Sequence, residues 1–276
     1  MGKTFDELTI KDNFMFGAVM RNPVKCKAVL ECILGISIRK IEYPELEKTI
    51  DNTYESKSIR LDVYVEDDRN TIYNIEMQTT DKKNLPKRTR YYQGMIDLNI
   101  ISKGNDYNKL QKSYVIFICD YDEFGFDRHI YTFEKQCKEV PGLMLGDDTV
   151  VVILNTKATT NDVSDALRDL LDYIGGEKPQ SLLTKSLNEE VQKIKLNEDW
   201  RRDFMTMNML MKEKVNLGEV KKTVSLIRDV KSSDIEITSK VLKVDVSYIH
   251  KVLSLINDNP DMDDEEIAEI LINDFE

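Results

Sequence analysis

Ser58-Ile59-Arg60-Leu61-Asp62-Val63-Tyr64-Val65-Glu66, followed after Asp67-Asp68-Arg69-Asn70 by Thr71-Ile72-Tyr73-Asn74-Ile75-Glu76-Met77-Gln78, has the pattern of two neighbouring strands. Successive side chains of a strand alternate between faces, so Ile59, Leu61, Val63 and Val65 share one side of the first run and Arg60, Asp62 and Tyr64 the other. In the second run Tyr73, Ile75 and Met77 point one way, and Asn74, Glu76 and Gln78 the other. The Asp- and Asn-rich segment between them is turn chemistry, which predicts an antiparallel hairpin. Asp62 and Glu76 share a face only if paired positions sum to an even number such as 138. That register sets Asp62 opposite Glu76 and Arg60 opposite Gln78, and it demands an odd loop, such as Asp68 to Asn70, or a bulge.

Carboxylates inside otherwise apolar, β-prone runs conflict with local propensity, and such conflicts mark functional sites. Asp62 and Glu76, converging from neighbouring strands, offer the oxygen ligands that a hard cation such as Mg²⁺ requires, and such an ion is what phosphodiester hydrolysis needs. The backbone carbonyl of Met77 is a further candidate ligand. Gln78 projects to the same face, where it can orient a water or a phosphate oxygen. The competing reading is a solvated polar face on an antiparallel sheet.

Working outward, Asn22 and Pro23 read as an N-cap and first helical residue, and Gly35 as a stop, giving a helix over 24–34 preceded by another from about Lys11 to Met20. Ile38 to Tyr43 is a strand ahead of the hairpin. Beyond Asp81, the basic run Lys82, Lys83, Lys87, Arg88, Arg90 enters a helix from Pro86 to Ser102, ended by Gly104, with Tyr91, Met95 and Leu98 as its buried stripe. Arg88 and Arg90 can contact phosphates there, and Tyr92 offers stacking or a hydroxyl, contacts that are largely indifferent to base sequence. Strands are expected at Tyr114 to Cys119, His129 to Phe133 and Val150 to Leu154.

From Asn161 the pattern is helical, starting with Val163, Leu167, Leu170, Leu171 and Ile174 and a Gly175-Gly176 stop. Trp200, Phe204, Met207 and Met211 follow at helical spacing and read as core. The expected division is therefore a nuclease-like domain over 1–158 and a helical domain over 159–276. Within the latter, Asp234 to Val241 and Ser247 to Asn257, joined near 242–246, have the layout of a helix-turn-helix, with Lys240, Lys243, His250 and Lys251 as positive charge.

The net charge of −11 over 276 residues is concentrated at the end: nine acids and no Lys or Arg lie in 258–276, which leaves residues 1–257 at −2. Charge bears on steering rather than fold, so a local basic patch can still meet DNA. The acidic end reads as a solvated face, an oligomer contact or an internal competitor for that patch. Cys26, Cys32, Cys119 and Cys137 form no CxxC pair, and His129 and His250 lie far apart. A zinc site, a disulfide framework or a Ser/His/Asp triad therefore has little material. No apolar run is long enough to span a bilayer and the N-terminus lacks a leader pattern, so a cytoplasmic location is expected.

The residues Ser58 to Val63 and Asn74 to Gln78, with Asn13-Phe14-Met15-Phe16 and Arg88, Arg90, Tyr91, Tyr92 and Gln93, resemble the PD-(D/E)XK nuclease-family transposases, also called recombination-promoting nucleases. The resemblance covers roughly residues 10 to 160. It implies an α/β fold, a restriction-endonuclease-like mixed sheet flanked by helices with an α-β-β-β-α-β core, here followed by an all-α region. It implies a Mg²⁺-dependent DNA endonuclease, with Mn²⁺ as substitute, linked to recombination or mobile DNA. Asp62 and Glu76 are then the metal ligands and Gln78 stands at the usual Lys position. A neutral amide cannot supply the lysine's charge, so Arg60 or Lys57 is expected to furnish it, while Glu31 or Asp12 is the candidate further acid. The alternative is a nuclease fold that has lost catalysis and serves as a DNA-binding or assembly module. The helical region is the expected surface for any homo-oligomer.

Overall fold

A computed structural model describes residues 3–50, 59–101, 104–230 and 234–273. Six strands, β1 (Ile41–Ile50), β2 (Ile59–Asp67), β3 (Ile72–Gln78), β4 (Ser113–Cys119), β5 (Ile130–Phe133) and β6 (Thr149–Asn155), form one sheet in the order β1-β2-β3-β4-β6-β5. The register of β2 with β3 pairs Val63 with Ile75, Tyr64 with Asn74 and Val65 with Tyr73, so partners sum to 138 as the shared acidic face requires. The Asp67 N–H donates to the Thr71 carbonyl at 3.0 Å in the same register, so three residues, 68–70, make the loop; Asn70 N–H donates to the Asp67 carbonyl at 3.0 Å, and Asn70 itself sits at φ 59°, a left-handed position that Asn tolerates. Asp67 closes this end, accepting from the Arg69 and Thr71 backbone N–H groups and from the Tyr73 hydroxyl at 2.8 Å.

β3 and β4 run parallel, as do β4 and β6, while β1, β2 and β5 are antiparallel to their neighbours, so the sheet is mixed. β1 is longer than the 38–43 segment expected. Its register slips between Glu42 and Glu45, around Pro44, which cannot donate to a ladder and is tolerated at such an irregularity on an edge strand.

Helices α1 (Asn13–Met20) and α2 (Pro23–Leu34) lie on the sheet at β1 to β3. Asn22 caps α2 through its side chain, accepting from the Val24 N–H at 3.1 Å, and Gly35 ends it at φ 63°. The parallel connection from β3 to β4 is made by α3 (Leu85–Ile100) on the sheet's other face. Its buried side is Leu85, Thr89, Tyr92, Gln93, Met95 and Ile96, packed on Tyr64, Val115, Phe117 and Ile153. The expected stripe is thus corrected: Met95 is buried, but Tyr91 and Leu98 are exposed, because the helix turns its Thr89 and Gln93 row to the sheet, where Gln93 donates to Ser113 Oγ at 2.7 Å.

By contacts the chain divides into two compact units, Met1–Arg201 and Arg202–Glu276. Helices α4 (Asp165–Gly175) and α5 (Leu182–Lys195) pack on α1 and α2 and therefore belong with the sheet, although the sequence pattern assigns them to the helical region beginning at 159. Their long apolar stripes, including Leu167, Leu170, Leu171, Ile174, Leu187 and Val191, are buried in that layer. Helix α6 (Glu198–Arg228) runs from one unit into the other. Of the stripe expected along it, Phe204 is buried, but Met211 is exposed.

The second unit adds α7 (Ile235–Leu242), α8 (Val246–Asp258) and α9 (Asp264–Asn273) to the end of α6, around a core of Val224, Ile227, Ile235, Ile249, Val252, Ile267 and Leu271. Together these elements are a restriction-endonuclease-like mixed sheet with flanking helices, followed by a helical C-terminal region.

Candidate active site

Strand pairing fixes what shares a face. Asn74, Glu76 and Gln78 of β3 lie beside Val115, Phe117 and Cys119 of β4, and Tyr64 of β2 lies opposite Asn74, so this polar row points toward α3. Covered in this way, Glu76 is only 1% exposed. Such burial of a carboxylate requires partners.

The partners come from the hairpin itself. The Asp62 backbone N–H donates to Glu76 Oε1 at 3.0 Å, and the Met77 backbone N–H donates to Asp62 Oδ2 at 3.0 Å. Each carboxylate thus takes a backbone donor from the strand that carries the other, which draws the two acids together where the ladder ends. Asn74, fully buried, completes the set with its amide nitrogen turned inward: it donates to Glu76 Oε1 at 3.2 Å and to the Val63 carbonyl at 3.2 Å. Burial pushes the Glu76 carboxyl well above the usual carboxylate range and the Asp62 charge pushes it further, against the pull of the Asp62 N–H, Arg88 and Asn74. Two carboxylates thus share a place in which one of them, Glu76, is almost fully covered.

Arg88, in the first turn of α3, is the cation that reaches it. Its Nη2 lies 3.3 Å from Glu76 Oε2, Nη1 donates to Gln78 Oε1, and both Nε (2.9 Å) and Nη2 (2.7 Å) donate to the Tyr92 hydroxyl. The guanidinium also lies over the Tyr92 and Phe117 rings, at 5.0 and 5.2 Å from their centroids. Tyr92 is buried, and burial followed by the Glu76 charge pushes its phenol up to about 12, so it remains a neutral hydroxyl. Gln78 donates its amide to the Thr80 carbonyl, leaving its oxygen turned to Arg88.

Asp62, Glu76, Met77, Gln78 and Arg88 come together. Tyr92 joins them as the holder of Arg88: of the two roles expected for it, stacking or a hydroxyl, its burial leaves the hydroxyl, which accepts from Arg88. Arg90 is exposed and lines a neighbouring groove with Gln93, Phe133 and Lys135. Glu31 is used elsewhere: its carboxylate accepts from the Ile38 N–H at 2.8 Å and bridges the turn after α2. Asp12 binds Lys3 at 2.7 Å and closes the turn at Thr9 at 2.8 Å. Lys57 lies outside the described residues, as does the side chain of Arg60.

Among the described residues no three His, Cys, Asp or Glu side chains cluster as a metal site, so the acids stand here as a pair. The donor set nevertheless suits a hard divalent ion, because two carboxylates forced together in a buried place gain from any cation between them.

Two features escaped sequence reasoning. Asn74 is one; its place on the acidic face was legible, but its role needs the burial. The other is Asp120, directly after β4, whose N–H donates to the Gln78 carbonyl at 3.1 Å and whose carboxylate binds Lys11 and, at 3.3 Å, Lys157. The parallel pairing of β3 with β4 was the available signal, since it sets their C-terminal ends side by side.

Residues 14–142 match the family model of the PD-(D/E)XK nuclease family transposases. The matched segment contains Asp62, Asn74, Glu76, Gln78, Arg88 and Tyr92, and the match supports a nuclease-like function connected with mobile DNA. Neither curated proteins nor solved structures give a match. No helix among the described residues is long and apolar enough to cross a membrane.

Proposed function

We propose that this protein is a metal-dependent endonuclease that hydrolyses DNA phosphodiester bonds with little sequence preference at the cleavage site, in the service of recombination or mobile DNA. The observation that carries this reading is the buried Glu76 carboxyl, held against Asp62 by reciprocal backbone hydrogen bonds. In this reading Asp62, Glu76 and the Met77 carbonyl hold Mg²⁺, with Mn²⁺ as substitute. A bound ion there supplies charge to the scissile phosphate and lowers the pKa of water.

The chain's own groups do the rest. Arg88 takes the part that a lysine at position 78 plays elsewhere, bringing a permanent cation to the phosphate. Gln78 and Tyr92 aim its guanidinium, and α3 keeps water from the far side of Glu76. Arg90, exposed two residues on, is placed for a backbone phosphate farther along the strand.

Plasmid DNA incubated with the purified protein tests this. Nicking that needs added Mg²⁺ or Mn²⁺, and that disappears in both Asp62→Ala and Glu76→Ala, is the expected result. Cleavage surviving in both variants would sink the assignment, and absence of cleavage by folded wild-type protein would favour a nuclease fold retained for binding or assembly.

A further inference from the structure

The second unit contains a feature that hydrolysis does not use. α7 and α8 are joined by three residues, Lys243-Val244-Asp245, and Lys243 takes the left-handed conformation (φ 56°, ψ 41°) that ends α7 abruptly. The turn is pinned: the Val244 N–H donates to the Ser239 carbonyl at 3.2 Å, and Ser239 Oγ donates to the Val244 carbonyl at 2.7 Å. Leu242 and Val244 pack inward with Ile235 before them and Ile249 and Val252 after them, against α6 and α9. An apolar residue inside a three-residue turn, flanked by buried positions on both helices, ties the pair to the core of the unit.

The opposite side of α8 is left to solvent. Val246, Ser247, His250 and Ser254 are exposed along one face, starting at its first turn, and Lys240 and Lys243 are exposed at the end of α7 and in the turn beside it. Of the unit's acids, Asp245 lies in the turn itself, exposed beside Lys243. Asp264 and Glu265 of α9 pair with Arg228 and Lys221 of α6, while Asp234 and Glu236 lie at the start of α7 and Asp258 at the end of α8, each about a helix length from the turn. Lys240 and Lys243, set against the single acid Asp245, therefore share one edge with the N-terminal end of a helix dipole.

We propose that α7 and α8 are a helix-turn-helix that binds duplex DNA, with the first turns of α8 entering the major groove. An α-helix fits that groove, and Ser247, His250 and Ser254 are hydrogen-bonding side chains of a length that reaches base edges. Lys240 and Lys243 meet the flanking phosphates. This assigns the second unit a DNA-anchoring role that does not depend on whether the first unit cleaves.

The full-length chain, titrated by fluorescence anisotropy against a labelled duplex in EDTA, reads binding without cleavage. Ser247→Glu is the informative variant, because an acid in the first turn of α8 favours the helix while repelling phosphate. It should weaken duplex binding about tenfold at an unchanged melting temperature, the size of one good groove contact. Lys243→Asn keeps a residue that tolerates the left-handed turn and should lower the salt slope of binding by about one. Lys212→Glu on α6, of larger charge change, should shift affinity less than about twofold if the α8 face is the contact. Wild-type affinity in Ser247→Glu, an equal loss in Lys212→Glu, or a loss of self-association or RNA binding with duplex binding intact would overturn the proposal. Failure of Mg²⁺-dependent cleavage alongside a Ser247→Glu binding defect would instead remove the nuclease reading and leave this one standing.

Discussion

Two acids in the same unit have opposite surroundings. Asp162, its side chain 9% exposed, faces His129 at 2.6 Å between Oδ1 and Nδ1 and also accepts the His129 backbone N–H at 3.2 Å, with Arg128 at its rim at 3.3 Å. Glu76, more deeply buried, faces another carboxylate and has Arg88 at 3.3 Å. The first cluster is complementary, and its acid is stabilised as a charge: burial opposes ionisation, but the His129 contacts hold the carboxyl below its ordinary value. The second is frustrated, and its acid is pushed toward the neutral form. A satisfied polar cluster rigidifies a fold, whereas one held in conflict by its backbone marks the place where something else completes it.

Neutralising each acid should affect the two clusters differently. Glu76→Gln and Asp62→Asn preserve shape and should each lower metal-dependent cleavage on the order of a thousandfold, about 4 kcal/mol of transition-state stabilisation. Both should remain folded, since the substitution removes a repulsion. Asp162→Asn should leave cleavage within about threefold of wild type. Parallel rate and urea-melt measurements on the three proteins decide it, and an equal rate loss in all three would erase the distinction.

Asp162→Ala should be the largest stability change, about 3 kcal/mol, because it strands the His129 backbone N–H and ring nitrogen in a buried place. The exposed Arg128 pair contributes little of that. Urea midpoints should show the loss, with no change in slope. Arg88→Ala comes next. It should slow cleavage about a hundredfold, and Arg88→Lys should recover part of this, since Lys restores charge but not the fork that Gln78 and Tyr92 hold. Full activity in Arg88→Ala would return the search for the cation to Lys57 and Arg60.

How much of this was legible in the sequence follows from what local periodicity encodes. Alternation in 59–78 reveals which residues share a face, and the demand for an even register then carries through to the observed pairing of Val63 with Ile75. The caps at Asn22 and Gly35 are equally local and equally readable. What periodicity does not encode is which helix end crosses which strand end. Arg88 lies 12 positions from Glu76, and only the path of α3 over β3 and β4 brings its guanidinium to Gln78. The same gap hid Asn74 as a donor to Glu76. It also moved Tyr92 from a surface role to a buried one, and it left open what α4 and α5 pack on, because a stripe shows that a helix is covered without naming what covers it.

The smallest expected effect is the pH dependence of the complementary cluster, and its sign sharpens the contrast. Asp162 is more acidic in the folded chain than in the unfolded one, so at intermediate pH the unfolded state binds more protons. Its charge therefore contributes stability that is present above the ordinary aspartate value near 4 and is lost as pH falls through the lower folded value. The stability gap between wild type and Asp162→Asn should narrow over that window, by about 1 kcal/mol or less after solvent screening. Urea melts at several pH values between roughly 3 and 6 would measure it. A gap that widens with acid would mean the carboxyl is held neutral in the fold, and the cluster would then share the frustration of Glu76 rather than oppose it.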